Sequence, residues 1–226
     1  MKLEGHLPVS KPVHFWSRQQ TVDKIISEIF LCAVLLWAPI GGADELSLAQ
    51  PCFDCHGNNG SGLDPRIPII AGQSPYVIID NLIAFRDGDR VCRETNYAAG
   101  DVDRAPTTMC AIATAMSEDD YEIVADFFAA RDFVGRPQKT DPALVEKGRK
   151  LHDRQCEKCH TEGGSLAEDD AGMLAGQWMP YMRQAFADFR DKDRPMPEKM
   201  QAKMDKLDAQ DFEALIHYYG SLGQDE

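Results

Sequence analysis

Two copies of one short pattern constrain this chain more than any other feature: CFDCHGNNG (Cys52 to Gly60) and CEKCHTEGG (Cys156 to Gly164). Each places two thiols three positions apart, with an imidazole directly after the second. The copies lie 104 residues apart, and the same offset carries AGQ (Ala71 to Gln73) onto AGQ (Ala175 to Gln177) and FRDGDR (Phe85 to Arg90) onto FRDKDR (Phe189 to Arg194). A constant offset across a whole block means one folding unit used twice. The chain is therefore predicted to form two similar domains.

Cys-x-x-Cys-His is the attachment signature of c-type haem. Two thiols add to the two vinyl groups of one porphyrin, and two intervening residues on a helical turn let both sulfurs reach the same edge. The following histidine, His56 or His160, then lies under the iron as its proximal ligand. This reading expects two covalently bound haem c groups, held by Cys52, Cys55, Cys156 and Cys159. Two other readings stand beside it. The two pairs could pool into one four-cysteine zinc site, and a thioredoxin-like redox pair would want a βαβ setting, which the sequence does not offer.

Beyond Arg90 the offset falls to 91 residues, so that Met109 pairs with Met200, Ser117 with Asp208 and Asp120 with Asp211. Ser117 and Asp208 are good N-caps, each followed three residues on by an acid. The segments after them repeat an apolar face: Val124, Phe127 and Phe128 in one, Leu215, Tyr218 and Tyr219 in the other. Met109 and Met200 each precede the cap by eight residues, in the loop expected to cross the free face of the haem, and are the candidate sixth ligands. The 13 residues gained by the first half fall in Val91 to Thr108. Cys92 and Cys110 bracket this insertion. A disulfide between them is the first reading in an exported chain, with free thiols or Cys110 on the first iron as the rivals.

Haem propionates need donors or positive charge. Gln73, Tyr76, Arg86 and Arg90 are candidates in the first half, and Gln177, Trp178, Tyr181, Arg190 and Arg194 in the second. Pairing of each arginine with a neighbouring aspartate on the surface is the competing assignment.

No alternating β pattern persists, and the long segments read as helices separated by Gly- and Pro-rich loops. Asp141 and Pro142 open a helix that runs toward the second motif, and Arg131 to Thr140 is the linker. Residues 1–43 stand apart: a polar lead, then the apolar run IFLCAVLLWAPIGGA, with cleavage expected after Ala43 as in a secretory signal. An uncleaved anchor is the alternative, although the run is short for a membrane span. Without residues 1–43 the chain keeps 20 basic and 34 acidic residues, a net charge of −14. Such a surface argues against nucleic acid and fits a soluble protein with no membrane span after processing. The expected organisation is a signal peptide over 1–43, a first haem domain over 44–133 and a second over 134–226.

KLHDRQCEKCHTEGG (Lys150 to Gly164), LAGQWMPY (Leu174 to Tyr181) and DFRDKDRPMPEKM (Asp188 to Met200) resemble the two-haem cytochrome subunit of flavocytochrome c sulfide dehydrogenase. The resemblance is looser over the first half, which looks partly like general two-haem c-type cytochromes of the periplasm, and the Val91–Thr108 insertion departs from it. It implies an all-α fold of two tandem cytochrome c-like domains, each wrapped around one covalent haem, with His56/Met109 and His160/Met200 as axial pairs. It further implies a periplasmic electron-transfer subunit, a partner flavoprotein that carries FAD and oxidises sulfide, and a soluble c-type cytochrome or similar acceptor. This chain has no Gly-rich dinucleotide fingerprint, so any flavin must sit on the partner. A free-standing two-haem carrier to a terminal oxidase, and a thiosulfate-oxidising cytochrome with Cys110 on iron, are the other functions the residues allow.

Overall fold

The computed structural model describes residues 42–223; the expected signal segment lies almost wholly outside them. The described chain is helical. Its β pairing is confined to an isolated bridge between Thr95 and Thr107. Helix α1 spans Gly42–His56, α2 Pro75–Arg86, α3 Met109–Thr114, α4 Glu118–Ala129, α5 Pro142–Gln155, α6 Met179–Asp191, α7 Glu198–Met204 and α8 Ala209–Ser221. Among the described residues no helix is long and apolar enough to cross a membrane.

The helix starts follow from side chains that satisfy orphan N–H groups. Ser117 opens α4 and Asp208 opens α8, each in a reciprocal capping box with the acid three residues on, Asp120 and Asp211. Asp141 caps α5 through the N–H of Ala143, with Pro142 at the first turn. Thr108 caps α3, which places Met109 at its first position.

Two cores result. In the first, α2 packs on α3 and α4, and Ala49, Ile78, Leu82, Tyr121, Val124 and Phe128 are buried together. In the second, α8 crosses α5 and also meets α6, burying Leu151, Met179, Met182, Leu215, Ile216 and Tyr219. The crossing of α5 and α8 is close because Gly148 has no side chain: a Cβ there would run into the Ala214 carbonyl and the Tyr218 Cβ.

One local expectation is met unequally. The first motif lies within the last turns of α1, whereas α5 stops at Gln155 and leaves CEKCH in turns. The His152 carbonyl accepts from both Cys156 N–H (2.8 Å) and Glu157 N–H (3.0 Å), which breaks the regular ladder at that point.

Candidate functional site

The two motif histidines are held in the same way. His56 Nδ1 lies 3.0 Å from the Pro68 carbonyl, and His160 Nδ1 lies 3.2 Å from the Gly172 carbonyl. Pro68 and Gly172 are themselves 104 residues apart, so the anchor is part of the repeat. A carbonyl on Nδ1 fixes the tautomer with the proton there and leaves Nε2 as a lone-pair donor, the arrangement seen around metal-bound histidine. Burial holds both imidazoles below the usual histidine range, although each carbonyl works the other way, so the neutral ligand form is favoured.

The four motif cysteines are not paired with one another. Burial pushes the Cys52 thiol up to about 11 and raises Cys156 as well, which favours the neutral thiol at both positions. Among the described residues no group of three or more His, Cys, Asp or Glu is placed to share a metal ion. Also among the described residues, the buried donors Trp178 Nε1 and Arg136 Nε have no protein partner. Buried polar groups are normally satisfied, and donors of this kind are what a propionate-bearing porphyrin requires. Trp178 Nε1 rests against Gly62, whose φ of +68° and missing Cβ allow the indole to approach. Arg136 reaches the neighbouring Ser61 carbonyl, so both donors sit at the first motif, Trp178 included, although the sequence placed it with the second. The residues present therefore fit a haem with a propionate site in the first half, and in the second half the fit rests on the anchored His160 and the free Cys156 and Cys159.

The other sequence candidates fall into three groups. Gln73 and Gln177 are buried and reach across between the halves: Met173 N–H donates to Gln73 Oε1 (2.9 Å) and Ile69 N–H donates to Gln177 Oε1 (2.9 Å). Ile69 and Met173 are again 104 residues apart, so these two bonds are twofold-related images of one another. Arg90, Arg194 and Tyr181 meet in a second cluster. Both guanidiniums donate to Asn81 Oδ1 (2.5 and 3.0 Å) and to Tyr181 Oη (3.4 and 3.5 Å). They also lie over equivalent rings, Arg90 4.3 Å from Phe85 and Arg194 4.4 Å from Phe189. Burial by itself would raise the Tyr181 phenol, but Arg194 and Arg90 bring it down to about 8. The third group is not gathered. Arg86 pairs with Asp87 and Glu118, Arg190 pairs with Asp191, and Tyr76 is 61% exposed.

Met109 packs on the first core and Met200 is half-buried in α7. Cys92 and Cys110 are joined as a disulfide with their Cα atoms 5.7 Å apart, so Cys110 has no thiolate to offer iron.

Three residues were not singled out by sequence. Asn81 and Arg136 carry no local signal, because the partners that give them a role, Arg194 for Asn81 and Ser61 for Arg136, come from the other half of the chain. His152 is fully buried, with Nδ1 2.9 Å from Tyr219 Oη and Nε2 2.5 Å from Glu157 Oε2. Tyr219 in turn hydrogen-bonds Cys156. The matching positions of the first half are Leu48, Phe128 and Cys52, so this polar chain belongs to the second site alone.

Two helical domains, each closing on a Cys-x-x-Cys-His motif with its imidazole anchored, define a dihaem c-type cytochrome. Known proteins agree. The family described as cytochrome C oxidase, cbb3-type, subunit III matches residues 143–218. Cytochrome c4 of Stutzerimonas stutzeri is 30% identical over 184 residues, covering 76% of this chain and 84% of that protein. The crystal structure of reduced recombinant cytochrome c4 from Pseudomonas stutzeri superposes with a TM-score of 0.64 at 27% identity, over 80% of this chain and 99% of that one. A protein of Stutzerimonas stutzeri strain A1501 named thiosulfate dehydrogenase electron acceptor is 35% identical over 88 residues, 39% of this chain and 35% of its own. The chain belongs to the cytochrome c4 family.

Proposed function

We propose that this protein is a free-standing two-haem electron carrier of the periplasm, passing single electrons between redox proteins. The observation that carries this reading is the likeness to cytochrome c4 across both halves, where the flavocytochrome resemblance is close in the second half alone. Attachment is through Cys52 and Cys55 in one domain and Cys156 and Cys159 in the other, with the domain boundary at 133/134. The haem irons supply the one-electron chemistry. The chain's own residues would position and tune them: His56 and His160 would offer Nε2 to the irons, Met109 and Met200 would supply the second protein ligand in each domain, and Trp178 and Arg136 would donate to propionates. The Gln73, Gln177 and Arg90–Asn81–Tyr181–Arg194 contacts hold the two domains in one fixed relation, which suits transfer without rearrangement.

The sulfide-oxidising flavoprotein partner is the second reading, supported by the motifs between Lys150 and Met200. Purification from native membranes and periplasm separates the two. A carrier elutes as a dihaem chain without flavin; co-elution with a flavin-containing subunit, and haem reduction on adding sulfide, replaces it with the subunit reading. The relative named as an electron acceptor of thiosulfate dehydrogenase favours a sulfur-compound oxidase as donor.

The axial assignment has its own test. Met109→His and Met200→His are each expected to remove about half of the long-wavelength Met–iron absorption and to lower one of the two midpoint potentials, because a thioether ligand raises the potential. Met204→His is expected to leave both unchanged. Loss of the whole band from one substitution would move the ligand in the other domain elsewhere.

A further inference from the structure

We propose that electrons enter and leave this protein through the edge of the second haem at Cys159, because the inserted loop shuts the corresponding edge of the first. The inference rests on the two-haem carrier reading above. The loop Val91–Thr108 folds back over the first motif. Ala98 and Ala99 N–H both donate to the Asp54 carbonyl, at 2.8 and 2.9 Å, and Ala98 N–H also interacts with the Cys55 sulfur. Arg104 pairs with the Asp54 carboxylate and lies 3.6 Å over the Tyr97 ring. The ends of the loop are tied by the Thr95–Thr107 bridge and the Cys92–Cys110 disulfide. A lid fixed at both ends and bonded to the backbone inside the motif does not swing aside for a partner.

Among the described residues the second motif has no such cover. Its counterpart of the loop is five residues, Pro195 to Lys199, and the residue equivalent to Asp54 is Lys158. Lys158 and Cys159 are both exposed, whereas Cys55 is partly buried. The partner that fits this corner is a soluble one-electron protein able to bring its own redox centre against the Cys159 thioether. The first haem then exchanges electrons through the second, across the interface built by Gln73 and Gln177.

The test uses the full haem-loaded protein, reduced, and an acidic blue-copper protein, plastocyanin, as oxidant. Each ferrous haem gives one electron, Fe(II) becoming Fe(III) as Cu(II) becomes Cu(I). Lys158→Glu is expected to slow oxidation of both haems together by roughly tenfold at low salt, since a reversed charge at a docking rim acts on the encounter rate. Asp103→Lys, an exposed substitution on the loop, is expected to leave the rate unchanged. Replacing residues 91–108 by the sequence PMPEK opens a second route, in which half of the haem no longer responds to Lys158→Glu. If Lys158→Glu slows the whole reaction by no more than about half, or if Asp103→Lys alters it as strongly as Lys158→Glu, both edges are open and the proposal is overturned. The two point variants keep the loop intact, so they decide the matter even if the shortened chain does not fold. Haem content separates the two levels: fewer than two haems per chain defeats the carrier reading, while two haems with the wrong kinetics defeats only this one.

Discussion

Without haem, the chain is expected to lose most of its helical circular dichroism and its cooperative melting transition. The Cys52→Ser, Cys55→Ser, Cys156→Ser, Cys159→Ser variant, made in cells that attach haem normally, checks this. The reason lies in how each core is built. Each domain is under 100 residues by the boundary proposed above, a size at which the apolar surface buried by the chain alone is marginal. Both cores converge on the motif region: Cys52 and Phe53 pack on the first, Cys156 on the second. Removing the porphyrin strips contacts from these faces and leaves Trp178 Nε1 and Arg136 Nε buried without acceptors, at about 1–3 kcal/mol for each unsatisfied group. Against a total stability on the order of 5–15 kcal/mol, the lost packing and the orphaned donors together are decisive. An apoprotein with full native helicity would refute this account.

Gly148→Val is expected to be the most damaging single substitution in the second domain. The side chain would meet the Ala214 backbone carbonyl and the Tyr218 Cβ, neither of which is the movable end of a flexible group. Relief requires α5 and α8 to separate, which also pulls His152 from Tyr219 and loosens Leu215 and Tyr219 in the core. Overpacking of this kind costs up to about 3 kcal/mol, a fall of up to roughly 10 °C in Tm for a chain of this size. Gly172→Ala is the matched control. Nothing lies within 4 Å of a Cβ there, and a change within about 0.5 kcal/mol is expected. Equal melting of the two variants would show that the helix crossing does not depend on Gly148.

The asymmetry between the domains runs through both results. The first site is lined by Leu48 and Phe128 where the second has His152 and Tyr219, and among the described residues the first motif is covered where the second is bare. A repeat read from the sequence alone makes the two halves look like duplicates with one insertion. Its chemistry is local, so it is legible: thiol spacing, an adjacent imidazole, a cap three residues before an acid. The propionate candidates were harder to place, because glutamine, arginine and tyrosine are groups that any surface also uses. Arg86 and Arg190 sit beside Asp87 and Asp191 in the chain and pair with them, while Arg90 and Arg194, with aspartate neighbours of their own, turn inward to Asn81 and Tyr181. Nothing in FRDGDR or FRDKDR distinguishes the outward arginine from the inward one.

The sequence by itself determined what depends on neighbours along the chain: two haem-attachment motifs, a helical fold repeated at fixed offset, capping boxes at Ser117 and Asp208, and the cysteines bracketing the insertion. Only the tertiary structure decided which donors are left over for a ligand, that Gln73 and Gln177 cross between the halves, that the half-buried Arg136 keeps a buried Nε in what reads as a linker, and that the insertion closes over Asp54 and Cys55. Those outcomes turn on contacts between residues far apart in the chain. Such contacts form only once two apolar cores have fixed the relative placement of their polar margins, and no local pattern of residues encodes that placement.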